Sequence, residues 1–353
     1  MLEPKLISTL TSHGPIIRWI LPSIGAILAI VALFWLYQDL DLEKFLSAVA
    51  TADLAWLIVL AGTILLEQLT RGWKWRQIVF DLKPISSFRL FGAILAGYGV
   101  AVLVPLGVSP LVRSWLIARL EDLRWACILV TTAVERFLDG IVFALFAAFV
   151  AMVGQIPNSD GDVRIGLAVA GGLNLVLFSI LLYLLFVGRS PLGRDEAPIS
   201  RWIDWLAARG GARLEGLRAA IREGIVWPRD RRRQVGAILA SVLMKIISAT
   251  HFLWAGLAVG VVLTPFDYLF LMVFAGFALV LARFIRVPGG FVIGSGFSLS
   301  LLAVPDEQAL AMILFNHILS IVLMVGPGLL FLWWSGIDIR EARQAEANFD
   351  ASA

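Results

Sequence analysis

The sequence predicts an all-α polytopic membrane protein with six full spans and two re-entrant, broken-helix hairpins arranged as inverted repeats. Hydrophobic residues make up 59% of the 353 residues and charged residues only 16%, and the mean hydropathy is +0.88. No soluble core needs that much apolar surface. A membrane β-barrel is disfavoured, because the apolar runs are far longer than about ten residues and do not alternate.

The six full spans are predicted from apolar runs that are long enough to cross a bilayer. A hydrocarbon core of about 30 Å needs roughly 20 helical residues at about 1.5 Å per residue. The first run has basic flanks but no evident small-residue cleavage site, so we expect a retained helix rather than a signal peptide. The runs cover residues 19–37, 54–69, 126–153, 165–187, 235–262 and 309–334.

The first hairpin is predicted at about residues 90–120, where an apolar helix is interrupted and resumes as a piece too short to span. Irregular backbone at that depth is tolerated only where it is buried in protein or lines a wet cavity. Polar residues flank both outer ends, so this hairpin enters and leaves through one face. The interruption consists of Pro105, Gly107, Ser109 and Pro110.

The second hairpin is predicted at about residues 266–303, in the other half of the chain. Its interruption consists of Pro288, Gly289 and Gly290, and Ser295 follows in the resumed piece. The alternation of spans makes this hairpin open on the opposite face from the first. Two broken segments in corresponding halves are typical of an inverted repeat with a binding site between the halves.

The chain therefore divides into membrane halves at 1–187 and 235–336, joined by a hydrophilic loop at 188–234 and followed by a tail at 337–353. The loop carries eleven arginines against six acidic residues. The positive-inside rule places it in the cytoplasm, together with both termini. Residues 202–221 have roughly helical spacing of apolar residues, which fits an amphipathic helix on anionic headgroups or a solvated linker helix.

Ionisable residues inside the predicted membrane segments are the strongest indication of a site: Arg113, Glu135, Arg136 and Asp139. A charge at the bilayer centre costs about 2.5–3.5 kcal/mol even on the lenient insertion scale. We expect these residues to face a protein interior and to pair largely with one another. In one interpretation the arginines bind an anionic headgroup through their planar donors, and the acids keep the empty cavity near neutral. In the other, the network only holds the helices together.

Other charged residues have two interpretations. Arg283 and Arg286 flank the second interruption, where they form a matching basic site or reach to an interface. Lys245, His251 and His317 lie within spans, where a single histidine is more often a hydrogen-bonded packing residue than a proton relay. A Trp-containing basic motif after the second span is predicted to anchor the chain at the membrane interface: Arg71, Lys74, Trp75 and Arg76.

The sequence shows no enzyme signature. It has no Walker loop, paired-aspartate metal motif, Cys/His cluster or nucleophile elbow, and Cys127 is its single cysteine. We therefore expect no enzymatic activity, no metal and no cofactor.

Four motifs, taken in order, resemble the flippase-like membrane domain of lysylphosphatidylglycerol synthases and its stand-alone relatives, including hopanoid- and glycolipid-associated members. The resemblance implies movement of lipids between leaflets of the bacterial inner membrane, by a stand-alone member without the synthase chemistry. Its partners would be membrane lipids. The motifs are Arg71-Gly-Trp-Lys74-Trp75-Arg76, Pro105 to Arg113, Glu135-Arg136-x-x-Asp139 and Pro288-Gly289-Gly290.

Two departures from the family pattern bear on the lipid. The first break usually reads P-x3-G-E-x2-R, and here Ser109-Pro110 occupy the G-E positions. The second usually reads P-G-G-x-G-x-x-E, and here Val292 and Ser295 occupy the last glycine and glutamate positions. Loss of both glutamates disfavours a cationic headgroup such as that of lysyl-phosphatidylglycerol and favours an anionic or neutral one.

We expect a lipid translocator that moves an anionic or neutral polar-headgroup lipid. The alternatives are a carrier of hopanoid or polyprenyl-phosphate-linked lipid, an intramembrane headgroup transferase, and a non-transporting scaffold. The scaffold would dock a lipid- or glycan-modifying enzyme through the arginine-rich loop. No nucleic-acid partner is expected.

Overall fold

The structure is a computed structural model that describes residues 15–103, 109–153, 161–187, 226–284 and 287–336. Within these ranges the chain is helical and contains no strand, which confirms the predicted all-α class. The predicted arginine-rich loop up to residue 225, its amphipathic helix and the tail lie outside the described residues. The helices are α1 (Pro15–Leu36), α2 (Leu42–Ala50), α3 (Leu54–Val79), α4 (Ser87–Leu103), α5 (Ser109–Glu121), α6 (Trp125–Val153), α7 (Asp162–Val187), α8 (Arg231–Ala258), α9 (Pro265–Phe284), α10 (Gly290–Leu301) and α11 (Asp306–Trp334).

Six stretches of helix in the described ranges have the length and hydropathy of a membrane span, which confirms a polytopic membrane protein. Part of α9, Pro265–Ala282, has the length of a span although it was assigned to a hairpin. The first predicted span, at 19–37, lies on α1, whose side chains are described only from Gly25. The six are Leu54–Val79, Trp125–Val153, Asp162–Tyr183, Arg231–Ala258, Pro265–Ala282 and Asp306–Trp334.

The helix α3 is ten residues longer than the span predicted at 54–69. It begins at Asp53, whose carboxylate accepts a hydrogen bond from the Ala55 amide at 2.8 Å and so caps the helix. It continues through the basic Trp motif to Val79 without interruption. The drop in hydropathy after residue 69 does not mark the end of the helix. It arises because the polar side chains that follow are buried in the protein interior.

The antiparallel helices α4 and α5 form the first hairpin. At its open end the Glu121 carboxylate lies 2.7 Å from Arg89 Nη1 and 3.0 Å from Lys83 Nζ. Near the interruption, a Cβ built on Gly97 would lie only 2.8 Å from the Ser109 carbonyl oxygen. Only glycine therefore allows the helices to approach so closely. The connecting residues, including Pro105 and Gly107, lie outside the described ranges.

The helices α9 and α10 form the second hairpin, also antiparallel. The rings of Phe274 and Phe297 stack across it with centroids 5.6 Å apart. A Cβ on Gly290 would collide with the Ala282 side chain, so the arms touch near the interruption. Gly289 begins α10 with φ +72°, a left-handed conformation that glycine adopts without strain.

The two hairpins open at opposite ends of the helix bundle. At one end, the Asp53 amide donates to the Ala258 carbonyl at 2.8 Å, and the Gln308 side chain donates to the Val259 carbonyl at 3.4 Å. This end contains the start of α3, the end of α8 and the start of α11, and therefore the open end of the second hairpin. The other end contains Glu121 and the Lys83 that follows α3. The contacts give the predicted inverted arrangement, with α3–α6 as one repeat and α8–α11 as the other.

The end of α4 and the start of α10, next to the two interruptions, both lie beside the middle of α11. A Cβ on Gly99, near the end of α4, would be 3.5 Å from the Val325 carbonyl. Phe291, in the first turn of α10, stacks on His317 with ring centroids 5.5 Å apart. The described ends of both hairpins therefore pack against the central part of α11.

Candidate functional site

Four helices bring charged side chains together in the interior, and we call this set the buried charge cluster. The helix α3 supplies three members, α5 one, α6 three and α8 one. The most deeply buried are Lys74, Glu135 and Arg113, with 0%, 1% and 2% of their surfaces exposed. The members are Glu67, Arg71, Lys74, Arg113, Glu135, Arg136, Asp139 and Lys245.

One face of α3 carries its three members. Glu67, Arg71 and Lys74 follow the i, i+4, i+7 spacing that places side chains on one side of a helix. Arg71 Nη2 donates to Glu67 Oε1 at 2.9 Å. The prediction that Arg71, Lys74 and Trp75 anchor the chain at an interface is wrong, because Lys74 and Trp75 are fully buried and Arg71 is paired inside.

Lys74 connects α3 to the two acids of α6. Its Nζ lies 2.6 Å from Asp139 Oδ1 and 3.3 Å from Glu135 Oε1. The second oxygen of Glu135 accepts from Arg113 Nη2 at 2.7 Å. The predicted pairing of Arg113 with Glu135 is confirmed, whereas Asp139 pairs with Lys74. The cation that bridges the two acids is Lys74, which the sequence predicted to lie at the membrane interface.

Trp75 supports Arg113 from the other side. The guanidinium carbon of Arg113 lies 4.9 Å from the centroid of the Trp75 ring, a cation–π distance. The indole Nε1 of Trp75 donates to Thr131 Oγ1 at 3.1 Å. A second pair of hydroxyls, Ser114 and Thr132, lies 2.9 Å apart between α5 and α6. The guanidinium of Arg113 is thus held between the Trp75 ring and the Glu135 carboxylate.

Three guanidinium groups keep a donor that is not used. The Nε atoms of Arg71, Arg113 and Arg136 are buried, and none has a hydrogen-bond partner among the described residues. Arg113 interacts electrostatically with both Arg71 and Arg136. These three Nε–H groups of the buried charge cluster are therefore available to an additional hydrogen-bond acceptor.

The buried charge cluster has more cations than acids. Five basic side chains face three carboxylates, which leaves a formal excess of two positive charges within the described residues. Arg136 and Lys245 form no ion pair within 4.0 Å in this part of the chain. Lys245 Nζ instead lies 5.4 Å from the centroid of the Phe143 ring. The expectation that the acids keep the cavity near neutral is wrong, because Arg71, Lys74 and Lys245 also enter the cluster.

His251 of α8 lies at the edge of the cluster. Its Nδ1 is 3.8 Å from Glu67 Oε2, whereas its buried Nε2 has no partner in the described part of the chain. His251 also has a hydrogen bond with the Thr63 backbone, which fits the predicted interpretation as a hydrogen-bonded packing residue.

The remaining predicted site residues lie apart from the cluster or outside the described ranges. The Arg283 side chain and Arg286 lie outside them. Ser295 is fully buried on α10 with an unpartnered hydroxyl, and Pro288 is exposed at the second interruption. Arg76 donates through Nε to the Ile85 carbonyl at 3.1 Å and takes no part in the cluster.

On the first hairpin, Pro110 accepts a hydrogen bond from the Ser114 hydroxyl at 2.7 Å through its carbonyl. An apolar cavity of about 360 Å³ lies elsewhere, between α1 and the second hairpin. Trp35, Phe274 and Phe297 are among the side chains that line it. None of the described residues that line this cavity is charged.

The comparisons with known proteins identify one family. Residues 23–328 match the model described as the lysylphosphatidylglycerol synthase TM region. No curated protein and no solved structure matches the chain significantly. The matched range includes both hairpins and every member of the buried charge cluster. Because it corresponds to a membrane region distinct from a catalytic synthase domain, the match indicates a lipid-related role in the membrane.

Proposed function

Because the chain belongs to the family of the lysylphosphatidylglycerol synthase TM region, we propose that it translocates lipids with an anionic headgroup between the leaflets of the bacterial inner membrane. One observation carries this proposal. A cluster with an excess of two positive charges is buried on crossing helices beside two interrupted ones. Excess charge at that depth is costly unless a counter-charge binds there.

The lipid headgroup is the counter-charge that a membrane supplies. Phosphate oxygens accept hydrogen bonds from guanidinium groups in strong, charge-assisted pairs. Arg113 and Arg136 present buried Nε donors for such bonds. The headgroup would bind in the interior while its hydrocarbon tail stays in the bilayer.

The inverted hairpins support movement in both directions past the same site. The first hairpin carries Arg113 and opens at the Glu121 end, whereas the second opens at the Asp53 end. Rocking of one repeat against the other is the usual way in which such a fold exposes a central site to each side in turn. Contacts that cross between the two repeats, such as that of His251 Nδ1 on α8 with Glu67 Oε2 on α3 at 3.8 Å, would be remade during that motion.

A competing proposal is that the cluster only holds the helices together. Such a network is expected to pair its charges completely, because an unpaired buried charge destabilises the fold. Arg136 has no carboxylate partner among the described residues, and two other arginines keep free donors. The incomplete pairing favours binding over a purely structural role.

The test is leaflet exchange in proteoliposomes that contain the full chain. Acyl-labelled phosphatidylglycerol and phosphatidylcholine are compared for wild type, Arg113→Gln, Arg136→Gln and the control Arg76→Gln. We expect selective exchange of the anionic lipid by wild type and the control. Loss of one charged hydrogen bond should slow it at least about tenfold in the two cluster variants.

Arg136→Gln is the more informative variant, since it leaves no acid without its described partner. If the wild-type protein exchanges neither lipid faster than empty vesicles do, the proposal is contradicted. Equal exchange in all four proteins would contradict the assignment of the site.

A further inference from the structure

The charge of the cluster constrains the charge of its ligand. With His251 neutral, the charged groups facing one another are three from α3, one from α5, three from α6 and Lys245 from α8. A ligand with one negative charge would leave a positive charge uncompensated in the interior. A ligand with two negative charges would balance the described cluster completely. Complete balance is the favoured state, since an uncompensated buried charge is costly.

We infer that the headgroup ends in a phosphate monoester, which carries two negative charges, rather than in the singly charged phosphodiester of an ordinary phospholipid. This inference rests on the proposed function and names the substrate class of the same site. A phosphate monoester carries about −1.5 to −2 charges at pH 7 and has three terminal acceptor oxygens.

The number of free donors agrees with this chemistry. Arg71, Arg113 and Arg136 each retain one buried Nε–H, so three guanidinium groups are available to the three terminal oxygens. A phosphodiester offers only two unesterified oxygens, so three donors would have to share them.

Lys245 is the residue that distinguishes the two ligand classes. It interacts electrostatically with Asp139 and Glu67 but forms no ion pair within 4.0 Å in the described ranges. It therefore adds a second excess charge without neutralising an acid. Removing its charge should convert a site for a dianion into one for a monoanion.

Two kinds of membrane lipid end in a phosphate monoester: a glycerolipid phosphate and an isoprenoid monophosphate. The cluster would recognise the phosphate that they share. Leaflet exchange of labelled phosphatidic acid, a labelled isoprenyl monophosphate and labelled phosphatidylglycerol is therefore measured separately in proteoliposomes at pH 7.5. We expect wild type to exchange at least one monoester about tenfold faster than phosphatidylglycerol.

The variant Lys245→Gln should reduce that preference to about threefold or less, and Lys245→Arg should retain it, because the charge is kept. The control Lys44→Gln, at an exposed lysine on α2, should behave as wild type. Exchange of both monoesters would show that the protein recognises the phosphate alone. Exchange of only one would also identify the hydrocarbon part of the lipid, glycerolipid or isoprenoid, that the protein requires.

The outcomes separate this inference from the proposed function. Suppose that wild type exchanges phosphatidylglycerol as fast as both monoesters and that Arg113→Gln abolishes this exchange. That result would overturn the inference of a doubly charged headgroup but would leave the proposed lipid translocation in place. Wild-type exchange of none of the three lipids would overturn both. The comparison of lipids in wild type needs no variant, so a folding defect in Lys245→Gln does not affect it.

Discussion

Lys74 of α3 lies 2.6 Å from Asp139 of α6, and the same ammonium group lies 3.3 Å from Glu135. This single cation holds two acids that are one helical turn apart. It therefore joins the first helix of the repeat to the last through the interior. The acids in turn position Arg113, because Glu135 shares its second oxygen with that guanidinium at 2.7 Å.

Replacing Lys74 should destabilise the fold strongly. Lys74→Met leaves the Glu135 and Asp139 carboxylates without their shared cation, and breaking a buried pair costs about 3–5 kcal/mol. The free energy of unfolding in detergent would show the loss. Lys44→Met, at a side chain with 72% of its surface exposed, is the matched control and should change stability by less than about 1 kcal/mol. Equal stability of the two variants would contradict a structural role for the bridge.

The first hairpin should be sensitive to side-chain volume at Gly97. Gly97→Ala places a Cβ about 2.8 Å from the Ser109 carbonyl oxygen, so the arms must separate. We expect a lower Tm in detergent. Gly62→Ala on α3, where a Cβ would have no neighbour within 4 Å, should instead stabilise its helix by up to about 1 kcal/mol. A Gly97→Ala protein as stable as Gly62→Ala would show that the arms do not touch.

Gly289 should tolerate substitution poorly for a different reason. Its φ of +72° is left-handed, and a side chain there costs about 1–2 kcal/mol even though a Cβ would meet no atom. Gly289→Ala should therefore lower Tm, whereas Gly172→Ala, which also has open space but no unusual φ, should not. A normal Tm for Gly289→Ala would indicate a different backbone at the second interruption.

The open end of the first hairpin should respond to acid. Burial raises the pKa of Glu121, but its hydrogen bonds and ion pairs with Arg89 and Lys83 prevail and hold that pKa below its ordinary value of 4.5. The unfolded chain therefore binds this proton more readily. The stabilisation is complete above about pH 4.5 and is lost as the pH falls through the lowered pKa.

Glu121→Gln removes this contribution, so its Tm should be below that of wild type at pH 7 and approach it near pH 3. Glu121 lies outside the span-length helices, at the open end of the hairpin. A constant Tm difference between the two proteins across that range would contradict the assignment.

Much of the fold follows from the sequence because hydropathy and glycine–proline interruptions are local signals. The hairpins at Pro288-Gly289-Gly290 and before Arg113 were predicted from such signals alone. The length of α3 was not predicted, because a segment rich in Trp and basic residues looks the same in the sequence whether it lies at a membrane interface or in a buried network. Its Glu67, Arg71 and Lys74 nevertheless share one helical face, a pattern that could have indicated burial.

The cluster itself was only half predictable. Arg113, Glu135 and Asp139 are conspicuous because they interrupt apolar segments. Glu67 and Lys245 come together only because α3 packs along α8, a contact between chain segments far apart that no local pattern specifies. The charge excess, which depends on those long-range members, therefore required the structure.

The central claim is that the positive excess of the cluster selects anionic lipids, and reversing one charge tests it most directly. Arg136→Glu lowers the formal excess from two to zero within the described residues, without removing a described ion-pair partner. The measurement is the ratio of leaflet-exchange rates for anionic and cationic lipids, here phosphatidylglycerol and lysyl-phosphatidylglycerol, with Arg76→Glu as the control.

The account predicts that the ratio falls at least about tenfold in Arg136→Glu and is unchanged in Arg76→Glu. A folded Arg136→Glu protein with the ratio of wild type would contradict the claim.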